Sequence, residues 1–182
     1  SSVERVKEEV EKLLEKLERE IRKSLKTIRE LLRELKRKHE ESKEHVRRLL
    51  EKAEREARRR GVDERLVREL RKLVEDIERY HDDNLRRAEE VVRKVEEDHR
   101  RLLEDARKLV EEIKRRLEEV RSDDKKLEEI LRRAKELIDR VLEELKKLNE
   151  ELRRIIEEIV RNVKRVNEKL EKLLRDIKRR ID

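Results

Sequence analysis

The sequence predicts an all-α fold, an antiparallel up-down-up three-helix coiled-coil bundle with very long helices. Of its 182 residues, 59% are charged and 33% are apolar, and it has one glycine and no proline. Because the apolar residues recur with a helical period, this composition indicates long helices or a coiled coil. Only two short segments interrupt the period. We therefore expect three helices in a single domain over residues 1–182, and turns this short make neighbouring helices antiparallel.

The first helix is predicted over about residues 2–60. Ser1 and Glu4 have the spacing of a capping box at its start. Arg58, Arg59 and Arg60 lie in its last turn, where positive charge interacts favourably with the negative end of the helix dipole. Gly61 can adopt the left-handed conformation that follows the last turn of many helices. The main apolar row recurs at intervals of seven and comprises Leu14, Ile21, Ile28, Leu35 and Leu49.

The second helix is predicted over about residues 63–121 and the third over 124–181. Asp63 is placed as an N-cap, with Val62 and Val67 as a hydrophobic staple. Ser122-Asp123-Asp124 forms the second turn. Seven-residue intervals continue in both helices, and a strict heptad implies a left-handed supercoil.

Polar side chains interrupt the apolar rows at two levels of the folded chain. When the hairpins are drawn with short turns, the polar residues of all three helices meet there, so we expect two buried hydrogen-bonding layers. For His39, His45 and Tyr80 a position at the solvent edge of the stripe is the alternative. One layer comprises His39, Ser42, His45, Tyr80, His81, Asn84, Asn162 and Asn167, and the other comprises Ser24, Thr27, Asp98, His99 and Asn149.

Such layers would specify register, because a buried polar group without a partner costs about 1–3 kcal/mol. Sliding a helix or exchanging its neighbour would leave these groups unpartnered, whereas an apolar seam alone sets register weakly.

Several function classes fit the sequence poorly. The net charge of +7 arises from 57 basic and 50 acidic residues, and these are interleaved at helical spacing rather than gathered on one face, so specific nucleic-acid binding is not expected. Glu78-x-x-His81 and Glu96-x-x-His99 have the spacing of carboxylate-bridged metal sites, but both lie on the second helix. Ser42–His81 and Ser24–His99 pairs lack a cleft and an oxyanion hole. We expect no enzyme activity, metal or cofactor.

The sequence contains no apolar run of the roughly 18 residues that can span a bilayer, and no signal peptide is recognised. We expect a soluble protein that suits recombinant cytoplasmic expression, with no membrane partner and an undetermined compartment.

The chain resembles de novo designed helical bundles of the parametrically generated type with buried hydrogen-bond networks. Three equal helices, the minimal turns Gly61-Val62-Asp63 and Ser122-Asp123-Asp124, Glu/Lys/Arg surfaces and layered polar residues carry this resemblance. It implies that the His, Asn, Ser and Tyr residues specify helix partners and oligomeric state. Spectrin-type repeats also have long antiparallel helices. Each helix of those repeats is shorter than the helices predicted here, and their core contains tryptophan, which this chain lacks.

We therefore expect a structural or assembly scaffold. A switch driven by histidine protonation is the first alternative, and a component completed by another chain's helices is the second. The scaffold would need no partner, or its partner would be a second copy of the chain or a designed helical chain. A widened apolar stripe suits either internal packing or an interface, and it comprises Leu13, Leu14, Leu31, Leu32, Leu49, Leu50, Leu66, Val67, Leu73 and Val74.

Overall fold

Three long α-helices form the protein, as the sequence predicts. A computed structural model describes residues 2–61, 63–120 and 124–181. The helices are α1 (Ser2–Arg59), α2 (Glu64–Val120) and α3 (Asp124–Ile181). The predicted all-α three-helix bundle is confirmed. Ser1, Val62, Ser122 and Asp123, on which a capping box, a staple and the second turn were predicted, lie outside the described residues.

The connection from α1 to α2 has the predicted chemistry. Gly61 has a φ of 68°, a left-handed conformation that glycine adopts without a Cβ penalty, and its N–H donates to the Arg58 carbonyl over 3.2 Å. At the start of α2, Asp63 Oδ1 accepts a hydrogen bond from the Arg65 N–H over 3.1 Å. This bond satisfies one of the donors that a helix N-terminus leaves without a partner.

The chain divides into two compact units, each containing a stretch of all three helices. Unit 1 consists of the chain up to Glu30 together with Val92–Leu152. Unit 2 consists of Leu31–Val91 together with the chain from Arg153.

In unit 1, α2 runs antiparallel to α1, and α3 runs parallel to it. Lys7 pairs with Glu118 over 3.1 Å, and Arg29 pairs with Glu96 over 3.7 Å. The core follows the same order, since residues early in α1 pack with residues early in α3. One buried cluster comprises Val6, Val10, Val110, Ile113, Leu117, Leu127 and Ala134, and the next comprises Leu17, Ile21, Ala106, Ile138 and Leu145.

In unit 2 the same directions hold. Lys36 pairs with Glu89 over 3.8 Å, and Arg71 pairs with Glu54 over 2.6 Å. Both pairs cross between α1 and α2. One buried cluster of this unit comprises Val46, Leu70, Val74, Leu170 and Leu174.

Burial along the helices repeats at 18 residues, and this corrects the heptad interpretation. The buried sets include Val10, Ile28 and Val46 in α1, Val74, Val92 and Val110 in α2, and Ala134, Leu152 and Leu170 in α3. Eighteen residues make five turns at about 3.6 residues per turn, so a buried face keeps its direction along a straight helix. These buried sets do not follow a strict seven-residue repeat, and the left-handed supercoil inferred from that repeat stays a prediction.

The widened apolar stripe is mostly packed rather than exposed. Val67 and Val74 are buried, and the remaining residues of the stripe are half-buried. The large apolar side chains that are exposed in the described part of the chain are instead Tyr80, Ile155 and Leu173.

Candidate functional site: two buried histidine clusters

The Ser24 cluster consists of Ser24, His99 and Asn149, and it joins one residue from each helix of unit 1. Ser24 Oγ lies 2.6 Å from His99 Nε2. The same hydroxyl lies 2.9 Å from Asn149 Oδ1 and 2.6 Å from Asn149 Nδ2. Because the hydroxyl both donates and accepts, it can bond the ring and the amide together.

Burial controls the protonation of His99. The ring is 0% exposed, and this burial lowers the pKa of His99. The Val95 carbonyl and the Asp98 carboxylate favour the protonated ring and oppose the shift only in part. The Nδ1 atom has no hydrogen-bond partner among the described residues. A neutral ring is therefore the stable form inside this cluster.

The His81 cluster joins the three helices of unit 2 through His81, Asn167 and Ser42. His81 Nε2 lies 2.8 Å from Asn167 Oδ1, and Asn167 Nδ2 donates to Ser42 Oγ. Since the amide oxygen can only accept, His81 carries its proton on Nε2. The other ring nitrogen, Nδ1, is buried and has no partner in the described part of the chain.

His39 extends this cluster toward the surface. Its Nε2 lies 2.9 Å from Asp82 Oδ1, which also pairs with Lys43 Nζ over 3.0 Å. The His39 and His81 rings meet edge to face, with centroids 6.3 Å apart. Burial raises the pKa of Asp82, but the hydrogen bonds from Lys43 and His39 outweigh it and lower that pKa overall.

The pKa of His81 is lowered, chiefly by burial of a ring that is 1% exposed. The hydrogen bond to Asn167 opposes this shift. The charges of His39 and Lys43 reinforce it, and that of Asp82 opposes it. Both fully buried histidines are thus held neutral by the same physical cause.

Three predicted layer residues lie at the surface. Thr27 was predicted to lie inside, and this is wrong, because its side chain is exposed and its hydroxyl donates to the Lys23 carbonyl over 3.0 Å. His45 is exposed and pairs with Glu171 over 2.5 Å. Tyr80 is 41% exposed and touches the His81 ring from the edge of the bundle. The edge alternative therefore describes His45 and Tyr80, whereas His39 is buried.

The remaining predicted residues are half-buried and take no part in the hydrogen bonds of either cluster. These are Asn84, Asp98 and Asn162. Asn84 differs from the other two because its Nδ2 is buried without a hydrogen-bond partner in the described residues.

Asp82 and Lys43 complete the cluster around His39 and were not predicted as members of it. Charged residues in this sequence are expected on the solvated surface. A signal was available, since Lys43 follows His39 by one helical turn and Asp82 falls opposite His39 in the antiparallel register.

The clusters are enclosed rather than open to a ligand. Ser24 is 6% exposed and His99 is 0% exposed, so a substrate could not reach a nucleophile at either residue. A cavity of only about 30 Å³ lies beside His39 and His81. The larger surface grooves lie elsewhere, and one of about 440 Å³ runs past Leu31, Leu35, Ile156 and Val160 in unit 2. In the described part of the chain, His, Asp and Glu side chains form no group of three placed to hold a metal ion. No helix there is long and apolar enough to cross a membrane.

Comparisons with known proteins return no match: no protein-family model, curated protein or solved structure corresponds to this chain.

Proposed function

We propose that the chain is a structural and assembly scaffold in which the two buried clusters specify helix register and partner choice. The single observation that supports this proposal is that each cluster bonds all three helices at one level. Ser24, His99 and Asn149 do so in unit 1, and Ser42, His81 and Asn167 do so in unit 2. The layered polar residues in a Leu/Ile/Val interior also support a de novo designed origin.

The energetic argument rests on the asymmetry of buried hydrogen bonds. A made bond adds only about 0.5–1.5 kcal/mol, whereas a buried group left without a partner costs about 1–3 kcal/mol. A shift of α2 by one heptad would separate His99 from Ser24 and His81 from Asn167 together. The clusters therefore disfavour shifted arrangements more than they stabilise the native one.

Thiol trapping tests this proposal, because the described residues include no cysteine and the sequence has none. Glu18 and Arg107 pair over 3.2 Å between α1 and α2. Glu18→Cys/Arg107→Cys, joined by a bifunctional thiol crosslinker, therefore reports native register, and Glu18→Cys/Arg100→Cys, joined in the same way, reports a shift of one heptad. Each pair is placed in the parent chain and in a chain whose Ser24 cluster is made apolar by Ser24→Ala, His99→Leu and Asn149→Leu.

With the crosslinker the parent should form only the native link, and the apolar chain should form the shifted one as well. A matched control, with Val46→Ile in unit 2, should behave as the parent does. Trapping of the native pair alone in the apolar chain would remove register specification as the function.

A pH-driven switch is a second candidate, favoured by the burial of His81 and His99 inside the bonds that join the helices. Protonation in acid would place a charge in each cluster. Light scattering coupled to size exclusion at about pH 7.5 and about pH 5 tests this candidate, since histidine titrates between these values. A change of mass or of hydrodynamic radius in acid would support the switch, and an unchanged particle with acid-insensitive stability would exclude it.

A further inference from the structure

The net positive charge of the protein belongs to one of its two compact units. Unit 1 contains 27 basic and 27 acidic residues, whereas unit 2 contains 30 basic and 23 acidic residues, so unit 2 accounts for the whole net charge of +7. Within unit 2, residues 61–91 are net acidic, with 7 basic and 10 acidic residues. The excess of cations therefore lies on the α1 and α3 stretches of this unit.

In α3 the excess is concentrated in about four turns of helix. Residues 161–175 contain six basic residues and two acidic ones, Glu168 and Glu171. Glu171 is half-buried and pairs with His45 of α1, so its carboxylate is turned toward α1. All six cations are exposed, and we call them the α3 basic face: Arg161, Lys164, Arg165, Lys169, Lys172 and Arg175.

Four of the six cations form a line on the outward side of α3. Successive helical residues are about 100° apart, so these four stay within about 80° of one another around the helix. They lie opposite Asn167, whose side chain bonds Ser42 of α1. Lys164 and Arg175 lie beside the line, toward α1, and widen the face to about 140°. At about 1.5 Å per residue the face is about 21 Å long. The outward line comprises Arg161, Arg165, Lys169 and Lys172.

Neither the helix dipole nor ion pairing within the chain accounts for these cations. The dipole favours positive charge within the last turn of a helix, and Arg175, the nearest of the six, lies six residues before Ile181, where α3 ends. None of the six forms an ion pair with another residue in the described part of the chain. In α1 of the same unit, by contrast, Lys36, Lys43 and Arg47 pair across to α2. The face is therefore a row of uncompensated cations.

The shape and charge of this face match the backbone of a DNA duplex. B-DNA carries one negative charge per about 1.7 Å of its axis, and its major groove, about 12 Å wide, admits an α-helix. Because the cations spread over about 140° of an exposed helix, they can reach phosphates on both strands that border the groove. A flat anionic membrane would meet only the outward line. The face consists of Lys and Arg and offers no aromatic side chain on which bases could stack, so the contacts would be to phosphates and independent of sequence.

We propose that the α3 basic face binds a DNA duplex along its major groove, without sequence preference. Such binding goes beyond the proposed scaffold function and uses a different surface from the two buried clusters. Sequence-specific recognition is still not expected. The interleaving of opposite charges, however, which argues against nucleic-acid binding for the chain as a whole, does not hold for residues 161–175.

Fluorescence anisotropy of a labelled duplex of about 20 base pairs, or two helical turns, measures this binding. Each phosphate that is neutralised changes the slope of log K against log salt by about −0.9. With about four phosphates neutralised by the outward line, the affinity should fall about twelvefold for each doubling of the salt concentration. An affinity that does not depend on salt would overturn the proposal.

Substitution of the outward line tests whether the position of the charge matters. Changing its four cations to glutamine should weaken binding about tenfold or more at low salt and flatten the salt dependence. The matched control removes two lysines and two arginines from exposed positions of α1 in unit 1 and should bind as the parent does. Equal weakening in both variants would assign the binding to net charge alone and overturn the proposal. The control carries Lys12→Gln, Lys16→Gln, Arg19→Gln and Arg22→Gln.

An RNA duplex of the same length and vesicles of phosphatidylserine with phosphatidylcholine test the groove geometry. A-form RNA has a deep, narrow major groove that side chains cannot read, so the RNA duplex should bind about tenfold more weakly than DNA or worse. Equal affinity for the two duplexes, or binding to the vesicles and not to DNA, would overturn the proposal. Neither result touches register specification, because the face lies on the solvent side of α3 and thiol trapping within one chain measures register independently.

Discussion

Ser24 and His99 are 75 positions apart in the sequence, yet Ser24 Oγ lies 2.6 Å from His99 Nε2 inside unit 1. Asn149 completes the contact from the third helix. The pair exists only when α1 and α2 are folded in one register, so a short polar contact reports the alignment of two helices of nearly 60 residues.

Truncation of one member of the Ser24 cluster should cost more than removal of the whole cluster. Asn149→Leu leaves Ser24 and His99 buried with fewer partners, and we expect a loss of about 1–3 kcal/mol in the free energy of unfolding. Replacing all three members with apolar side chains should be close to neutral, since no polar group is left behind. Urea unfolding followed by circular dichroism measures both changes. Equal losses in the single and triple variants would contradict this asymmetry.

Acid should destabilise the protein through His81 and His99. Burial lowers both folded-state pKa values below the unfolded value of 6.5. Above that value both rings are neutral in either state, so their contribution to stability is fully present and does not change with pH. As the pH falls below it, the unfolded chain binds protons that the folded chain does not. Stability then falls by up to about 1.4 kcal/mol per pH unit for each ring, until the folded-state pKa is reached.

Urea unfolding at several values between about pH 7.5 and pH 5 measures this slope, a window that contains the histidine titration. The matched control is His81→Leu/His99→Leu, whose stability should be nearly flat over the window. The same slope in parent and control would assign the acid response to other groups.

The charges beside His81 should move its pKa in opposite directions. Asp82 favours the protonated ring and Lys43 disfavours it. Asp82→Asn should therefore lower the pKa of His81, and Lys43→Gln should raise it. Nuclear magnetic resonance titration of the ring proton signals measures each value. Asp83→Asn is the control, because Asp83 is exposed and pairs with Arg86 instead, and shifts of one sign in all three variants would contradict the assignment.

The fold was predictable because its determinants are local. Gly61 and Asp63 mark a turn by their backbone and capping chemistry, and the helical period needs no knowledge of tertiary contacts. The short turn also fixed the register well enough to place Ser24 beside His99 and His81 beside Asn167.

Details at the edges of the buried faces were not predictable in the same way. Positions seven residues apart are displaced by about 20° around a straight helix. Assigning core positions by heptad therefore misplaces residues at the margin of a buried face that repeats every 18 residues. Thr27 is such a residue, since Ile28 occupies the core position next to it. The helical spacing of His39 and Lys43 and the antiparallel register bring Asp82 near them, but whether the three side chains bond depends on side-chain reach, which periodicity does not encode.

The contrast between Thr27 and Ser24 yields a further prediction. Thr27 is exposed and bonds its own helix, so Thr27→Ala removes a β-branched residue and should leave stability unchanged or raise it by about 0.5 kcal/mol. Ser24→Ala, only one turn away, should instead lower stability by about 1–3 kcal/mol, because His99 and Asn149 lose their shared partner. The midpoints of urea unfolding of the two variants, compared at equal m-values, measure these two changes in stability. A loss at Thr27 as large as that at Ser24 would mean that Thr27 belongs to the buried layer after all.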